Sequence, residues 1–316
     1  MSKLILSLSE LKKEHEDDLK KLSNEYTVIH SLEEASSVKD IEIVYGWNKE
    51  EGPKLLENPE MNVKWIQLTS AGVDYMDLAL LNKHNITLTN ASGIHSYAIS
   101  ESIFGMLLSH TRGIGYSIKK QMKNEWDEVD EAFEMNQRTM AIVGAGEIGR
   151  QTGKLAKAFG MKTIGVNRSG KPVDFMDEQF TQAQLAEALA DADVVVNILP
   201  LTDETRNLFD LDLFKKMKQS AIFINVGRGS TVVTDDLLEA LDEGIIAFAA
   251  LDVVHQEPLP TDHPIYQRDD VLLTPHISGT LEDYSESAYR LFEENFKDYA
   301  ESKTVSKNVV DYQSGY

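Results

Sequence analysis

The ten residues from Met140 to Gly149, Met-Ala-Ile-Val-Gly-Ala-Gly-Glu-Ile-Gly, constrain this chain more than any other stretch. A short apolar run breaks into Gly144-x-Gly146-x-x-Gly149 and then opens a helical pattern. That order suits a loop wrapped around a pyrophosphate. Gly144 permits a tight turn, Gly146 lets phosphates approach the backbone, and Gly149 lets helix pack on strand. Glu147 and Ile148 begin the helix, whose amide dipole points at the phosphates. Alone the motif is weak, because glycines also punctuate ordinary turns; the rest of the chain has to carry the argument.

The strand-then-helix rhythm recurs throughout. From Leu4 to Leu88 short apolar runs (Leu4–Leu6, Tyr26–Ile29, Ile41–Tyr45, Trp65–Leu68, Ile86–Leu88) alternate with amphipathic stretches such as Asp74 to Asn82. This is the pattern of a parallel sheet with helices on its faces. A long helix is expected from Tyr97 to about Lys123, with Ile99, Ile103, Met106, Leu107 and Leu108 as its apolar face. A second series supplies six strands: Met140–Val143, Thr163–Val166, Val194–Leu199, Ala221–Val226, Ala247–Val254 and Val271–Leu273. Helices are expected between them near 148–159, 181–190, 212–216 and 235–243. A closing helix, about Leu281 to Ser302, is long enough to cross back to the first series. The expected organisation is two doubly wound parallel-sheet α/β domains, with residues 99–283 inserted between 1–98 and 284–316.

Composition excludes several function classes. Across 316 residues, 52 acidic and 31 basic side chains give a net charge of −21, which argues against nucleic acid as a partner. The absence of cysteine removes disulfides, thiolate metal sites and a cysteine nucleophile. No run of about 18 apolar residues occurs, and the apolar start of about five residues is too short for a secretion signal, so a soluble cytoplasmic protein without a membrane partner is expected. His15, His30, His84 and His263 lie in polar or loop settings, read as exposed, and lack metal-ligand spacing, so no metal site is expected. His110 reads as a packing residue, and Trp47 and Trp65 as core.

In open α/β sheets, ligands bind beyond the carboxyl ends of the strands. In the second series those ends carry the glycine loop, Asn167-Arg168-Ser169, Leu199-Pro200 with Thr205 beyond, Gly227-Arg228-Gly229 after Val226, Asp252 with Glu257-Pro258, and Pro275-His276-Ile277-Ser278-Gly279. Arginine, glutamate and histidine thus converge on one rim. A guanidinium between two small residues offers a planar fork for a carboxylate or keto oxygen. A histidine oriented by Glu257 can give a proton to a keto oxygen and take it back from an alcohol.

Four segments, Gly144–Gly149, Asn225–Ser230, Leu251–Pro258 and Thr274–Gly279, together resemble the D-isomer-specific 2-hydroxyacid dehydrogenase family. Thr69–Asp74, Leu199–Thr205 and the closing Asn308–Tyr316 fit as well, so the resemblance runs in order along essentially the whole chain. It implies a Rossmann cofactor domain inserted in a flavodoxin-like substrate domain, and reversible hydride transfer between a nicotinamide cofactor and a 2-keto or D-2-hydroxy acid. It implies that Arg228 positions the substrate, that His276 is the acid/base and that Glu257 tunes it. It further implies that Ser70 and the amides of Ala71 and Gly72, ahead of a helix starting near Asp74, bind the substrate carboxylate. Asp252 resembles the residue contacting the nicotinamide carboxamide, Thr205 one on the phosphate side. Leu199, Pro200, Val226, Gly227, Ser278 and Gly279 complete the cofactor set. His95, near the domain crossing, is a candidate to face the cleft. The family usually dimerises through its cofactor domain, and the segment from about Met122 to Met135, with Trp126, fits such an arm; a homodimer is expected.

The chain departs from the NAD pattern at one place. An acidic residue usually ends the second strand, where it accepts from the ribose 2′-hydroxyl. Here Asn167 stands there, followed by Arg168 and Ser169, which suit a 2′-phosphate. Between Arg138 and Lys171 seven basic residues face one acid, Glu147. In a chain of this charge that island suits a phosphate-rich ligand, so NADP(H) is expected over NAD(H). The rival reading is a nucleotide-sensing, corepressor-like binding protein without metabolic turnover, since one branch of the family keeps the triad in that role. A formate or phosphite dehydrogenase would want Asp rather than Asn167-Arg168.

Overall fold

The computed structural model describes residues 3–129 and 132–313. The chain separates into two units, one comprising residues up to Ile94 and from Leu281 onward, the other His95–Thr280.

The first unit begins with β1 (Lys3–Ser7), α1 (Lys13–Leu22), β2 (Tyr26–Ile29), β3 (Ile41–Tyr45), α2 (Glu51–Glu57), β4 (Trp65–Gln67), α3 (Leu78–Lys83) and β5 (Thr87–Thr89). The strands pair in parallel in the order β2-β1-β3-β4-β5. Side chains alternate with period two. Leu6, Val44, Ile66 and Leu88 enter one core with Leu55, Leu56 and Leu81 of the helices, while Ile5, Ile43, Tyr45 and Trp65 enter another. Both faces are buried, which is why these strands read as unbroken apolar runs.

The second unit runs α4 (Ser96–Thr111), α5 (Ile114–Gln121), β6 (Thr139–Val143), α6 (Glu147–Ala158), β7 (Lys162–Asn167), β8 (Glu178–Thr181), α7 (Leu185–Leu189), β9 (Val194–Asn197), α8 (Leu211–Phe214), β10 (Ile222–Asn225), α9 (Thr234–Asp242), β11 (Phe248–Leu251) and β12 (Val271–Leu273). Its seven strands lie in the order β12-β11-β10-β9-β6-β7-β8, all parallel. Met140 and Ile142 pack with α4 and α6, whereas Ala141 and Val143 pack with α7, α8 and α9. The chain then returns through α10 (Tyr284–Ser302), whose Phe292, Phe296 and Tyr299 close the second core of the first unit. The architecture is two parallel α/β sheets with helices on both faces, the second of Rossmann type.

Several expectations are corrected. The second sheet has seven strands, because Glu178–Thr181 adds β8 at its edge. Only Phe180 of that strand packs on the core, so it carries almost no apolar signal. The long helix expected to reach Lys123 breaks at Arg112-Gly113, where Gly113 turns with φ +66° before α5. The helix expected near Asp74 starts at Leu78 instead, capped by the Asp77 side chain, which accepts from the Leu80 amide at 2.9 Å. The closing helix starts at Tyr284, where the Asp283 carboxylate caps the Glu286 amide. His15 is buried, not exposed: it stacks on Tyr289 and meets Glu286 at 2.9 Å. Among the described residues no helix is long and apolar enough to cross a membrane.

Candidate active site

β6 and β9 are neighbours although β7 and β8 lie between them in sequence, so the winding reverses there. Loops leaving such a point diverge and leave a crevice. Gly144 turns with φ +101°, and a Cβ on it would lie 3.0 Å from the Ile198 carbonyl carbon, so the turn after β6 nests against the one after β9. At Gly146 a Cβ would meet nothing within 4 Å. Gly146 is also the N-cap of α6, so an open space adjoins unsatisfied amides, the arrangement an anion requires. Glu147 is exposed and pairs with Arg150 at 3.1 Å, while Ile148 is half-buried and Gly149 packs against the Gly144 carbonyl. These residues fit a dinucleotide pyrophosphate.

At the end of β7 the Asn167 side chain donates to the Lys171 carbonyl at 2.8 Å, and the Lys171 amide donates to the Ser169 hydroxyl at 3.3 Å. The turn is thus self-bonded, with Arg168 and Ser169 exposed on it. The basic island is partly neutralised, since Lys157 meets Asp177 at 2.6 Å and Arg138 lies 3.7 Å from Asp193. Thr205 is buried, and its hydroxyl donates to the Pro200 carbonyl at 2.6 Å and accepts from the Thr202 amide at 2.8 Å, bracing the loop beyond Leu199.

Beneath the Arg228 loop lies a polar network that sequence reasoning missed. Asn197 and Asn225 end neighbouring strands, are fully buried, and join amide to amide at 3.0 Å. Asn197 also donates to the Thr231 hydroxyl at 2.7 Å, and the Asn225 side-chain oxygen accepts from the Gly227 amide at 3.2 Å. The only signal was an asparagine at the same register in two adjacent apolar strands. Val226 is buried; Arg228 is half-buried and donates to the Gly227 carbonyl at 2.9 Å. A Cβ on Gly229 would fall 2.0 Å from the Val254 carbonyl, so that glycine is dictated by close approach of the next loop.

That next loop carries Glu257, whose carboxylate meets His276 Nδ1 at 2.7 Å. His276 itself has φ +55°, a left-handed conformation. Asp252 is 3 % exposed and accepts from Thr274 Oγ1 at 2.6 Å and from the amides of Ile277 at 2.9 Å and Ser278 at 3.0 Å. His95 Nδ1 donates to the Gly279 carbonyl at 2.8 Å. Burial pushes the His95 imidazole below its usual pKa, outweighing the opposing pull of that carbonyl. Arg228, Glu257, His276, Asp252, Ser278, Gly279 and His95 thus belong to one unit, on the loops that follow β10, β11 and β12 and at the head of α4.

In the first unit, Ser70, Ala71 and Gly72 sit in a loop beyond β4. The expected helix N-terminus is absent, because the chain makes a turn from Val73 to Met76 before α3. Ser70 Oγ lies 2.6 Å from Tyr75 Oη and 2.9 Å from the Gly72 carbonyl, and Asn90 donates to the Ala71 carbonyl at 2.9 Å. Among the described residues neither the Ala71 nor the Gly72 amide donates within the protein.

The doubly wound sheet and its open glycine turn define a dinucleotide-binding protein. The NAD binding domain of the D-isomer specific 2-hydroxyacid dehydrogenases matches residues 104–278. A glyoxylate reductase of Thermofilum pendens is 36% identical over 70% of this chain and 67% of its own length. A D-isomer specific 2-hydroxyacid dehydrogenase family protein from Aeromonas salmonicida superposes with a TM-score of 0.81 at 31% identity, covering 99% of this chain and 100% of that one. The NADPH-dependent glyoxylate/hydroxypyruvate reductase of Sinorhizobium meliloti, solved with NADP and sulfate, gives 0.81 at 26% identity over 99% and 100%. The chain belongs to the D-isomer specific 2-hydroxyacid dehydrogenase family.

Proposed function

We infer that this protein is an NADP(H)-preferring 2-keto acid reductase acting reversibly on D-2-hydroxy acids, with glyoxylate and hydroxypyruvate as its small substrates. The observation that carries the reading is the 2.7 Å contact between His276 Nδ1 and Glu257, on the same rim as Arg228 and the glycine loop. With Nδ1 committed to Glu257, Nε2 is the ring nitrogen that meets the substrate, giving its proton to the keto oxygen during reduction and reclaiming it during oxidation. Arg228 holds the substrate's carboxylate and carbonyl with its planar fork. In the first unit the Ala71 and Gly72 amides, which donate to no group among the described residues, are read as donors for a substrate carboxylate. Gly144, Gly146 and Gly149 would hold the pyrophosphate of a nicotinamide dinucleotide, and Arg168 and Ser169 its 2′-phosphate; that cofactor, when bound, would supply the hydride. The absence of a carboxylate at the end of β7 supports NADP(H), as does the relative solved with NADP.

The reading also includes a homodimer. Exposed apolar side chains cluster from α5 onward: Ile114 50%, Ile118 52%, Met122 81% and Trp126 100%. Such a row marks an interaction surface. Asp130 and Glu131 of the expected arm lie outside the described residues.

The test is oxidation of NADPH and NADH with glyoxylate, hydroxypyruvate, pyruvate and phenylpyruvate, with Arg168→Ala beside the wild type. Turnover favouring NADPH, with the preference reduced in the variant, is expected. Equal or better use of NADH would overturn the cofactor preference, and no turnover with any acid would overturn the reductase.

A further inference from the structure

Asp252 is a buried carboxylate with no cationic partner among the described residues, so its charge has to be stabilised by hydrogen bonds. All three donors come from one short segment, and they flank His276: Thr274 Oγ1 on one side, the Ile277 and Ser278 amides on the other. The fourth link runs through the backbone, where the His276 amide donates to the Asp252 carbonyl at 2.8 Å. Between these anchors His276 adopts φ +55°, which non-glycine residues enter only when their surroundings impose it. Released from Asp252, the segment would relax toward the ordinary right-handed or extended regions, and the imidazole would swing away from Glu257.

We propose that Asp252 is a positioning residue: its carboxylate and carbonyl clamp residues 274–278 so that His276 stays left-handed with Nδ1 on Glu257. Thr274 belongs to the same clamp, since its hydroxyl touches the Asp252 carboxylate at 2.6 Å. This role is additional to the nicotinamide contact that the family resemblance suggested for Asp252: Oδ1 accepts twice and Oδ2 once from this segment, which leaves Oδ2 able to accept one more hydrogen bond. The inference rests on the reductase reading in that the clamp acts through the proposed acid/base.

Full-length Asp252→Asn and Thr274→Val decide it, measured for kcat and KM against pH, for NADPH dissociation constant and for melting temperature. In Asp252→Asn an amide NH2 opposes either the Ser278 amide or the Ile277 and Thr274 donors. A loss of about 10²-fold in kcat is expected for misplaced chemistry, with an altered pH profile and NADPH affinity kept within about threefold. Thr274→Val, which removes a single bond, is expected to lose about tenfold. Unchanged kcat in both variants overturns the proposal. So does NADPH affinity weakened more than tenfold with kcat intact at saturation, which marks a nicotinamide contact instead. If Asp252→Asn does not fold, Thr274→Val is judged by the same criteria. If the wild type reduces no 2-keto acid, the reductase reading fails, and the clamp is judged by the His276 imidazole NMR signals in Thr274→Val; signals identical to wild type overturn it.

Discussion

The two units place their buried carboxylates at opposite ends of their strands. In the second unit Asp252 lies under the carboxyl rim, beneath His276, on the same rim whose Arg228 loop rests on Asn197, Asn225 and Thr231. In the first unit the buried carboxylate, Glu42, sits where the strands begin. It accepts from Tyr26 at 2.7 Å and Tyr299 at 3.0 Å and pairs with Lys3 at 3.1 Å, tying β1, β2 and β3 to α10. The bonds at Asp252 hold the segment of the proposed acid/base, whereas those at Glu42 fix a helix to a sheet. Substitutions in the second unit should therefore affect turnover, with or without stability, and substitution of Glu42 stability alone.

The sharpest separation is expected from His276→Ala, which should lower kcat/KM by about 10²–10⁴-fold while leaving the melting temperature unchanged, because half of that side chain is exposed. A large fall in melting temperature would break the comparison. Asn225→Ala strands the Asn197 side-chain amide and the Gly227 amide, so it should cost about 2–3 kcal/mol and depress turnover beyond the unfolded fraction. Denaturant curves beside kcat at matched folded concentration check this.

In the first unit, Glu42→Gln should cost about 1–2 kcal/mol with kcat unaltered. Burial opposes ionisation of Glu42, but hydrogen bonds from Tyr26, Lys3 and Tyr299 outweigh it and hold its carboxyl below the usual range. A carboxyl whose pKa falls on folding stabilises the fold above its unfolded pKa, and the contribution is lost as pH drops through the folded value. Wild-type melting temperature should therefore decline on acidification below pH about 4.5, and less steeply in the variant. The smallest effect is expected from Asn167→Asp, which should move the NADPH-to-NADH ratio of kcat/KM toward NADH by about tenfold, with no change in melting.

Legibility in the sequence follows the same division. β6, β9 and β10 stood out because both faces of those strands are buried, and the rim residues could be placed by counting past their ends. The glycine turn was readable because its glycines answer to steric demands, at Gly144 and again at Gly229. What escaped has little local signature. β8 is an edge strand with one packed side chain. The break at Arg112-Gly113 lies inside a continuous helical pattern. The loop from Ser70 to Met76 ends at a cap, Asp77, that resembles any other aspartate. Asp252 was visible as a rim residue, but its three donors are spread from Thr274 to Ser278, more than twenty positions away, and only folding brings them together.

The close approach at Gly229 bears on how this protein could be re-engineered. With a Cβ excluded by the Val254 carbonyl, saturation of codon 229 should return glycine alone among active clones. Libraries aimed at new substrates would then draw diversity from the proposed substrate loop at Ser70 to Tyr75, leaving the Arg228 loop as the invariant part of the selection.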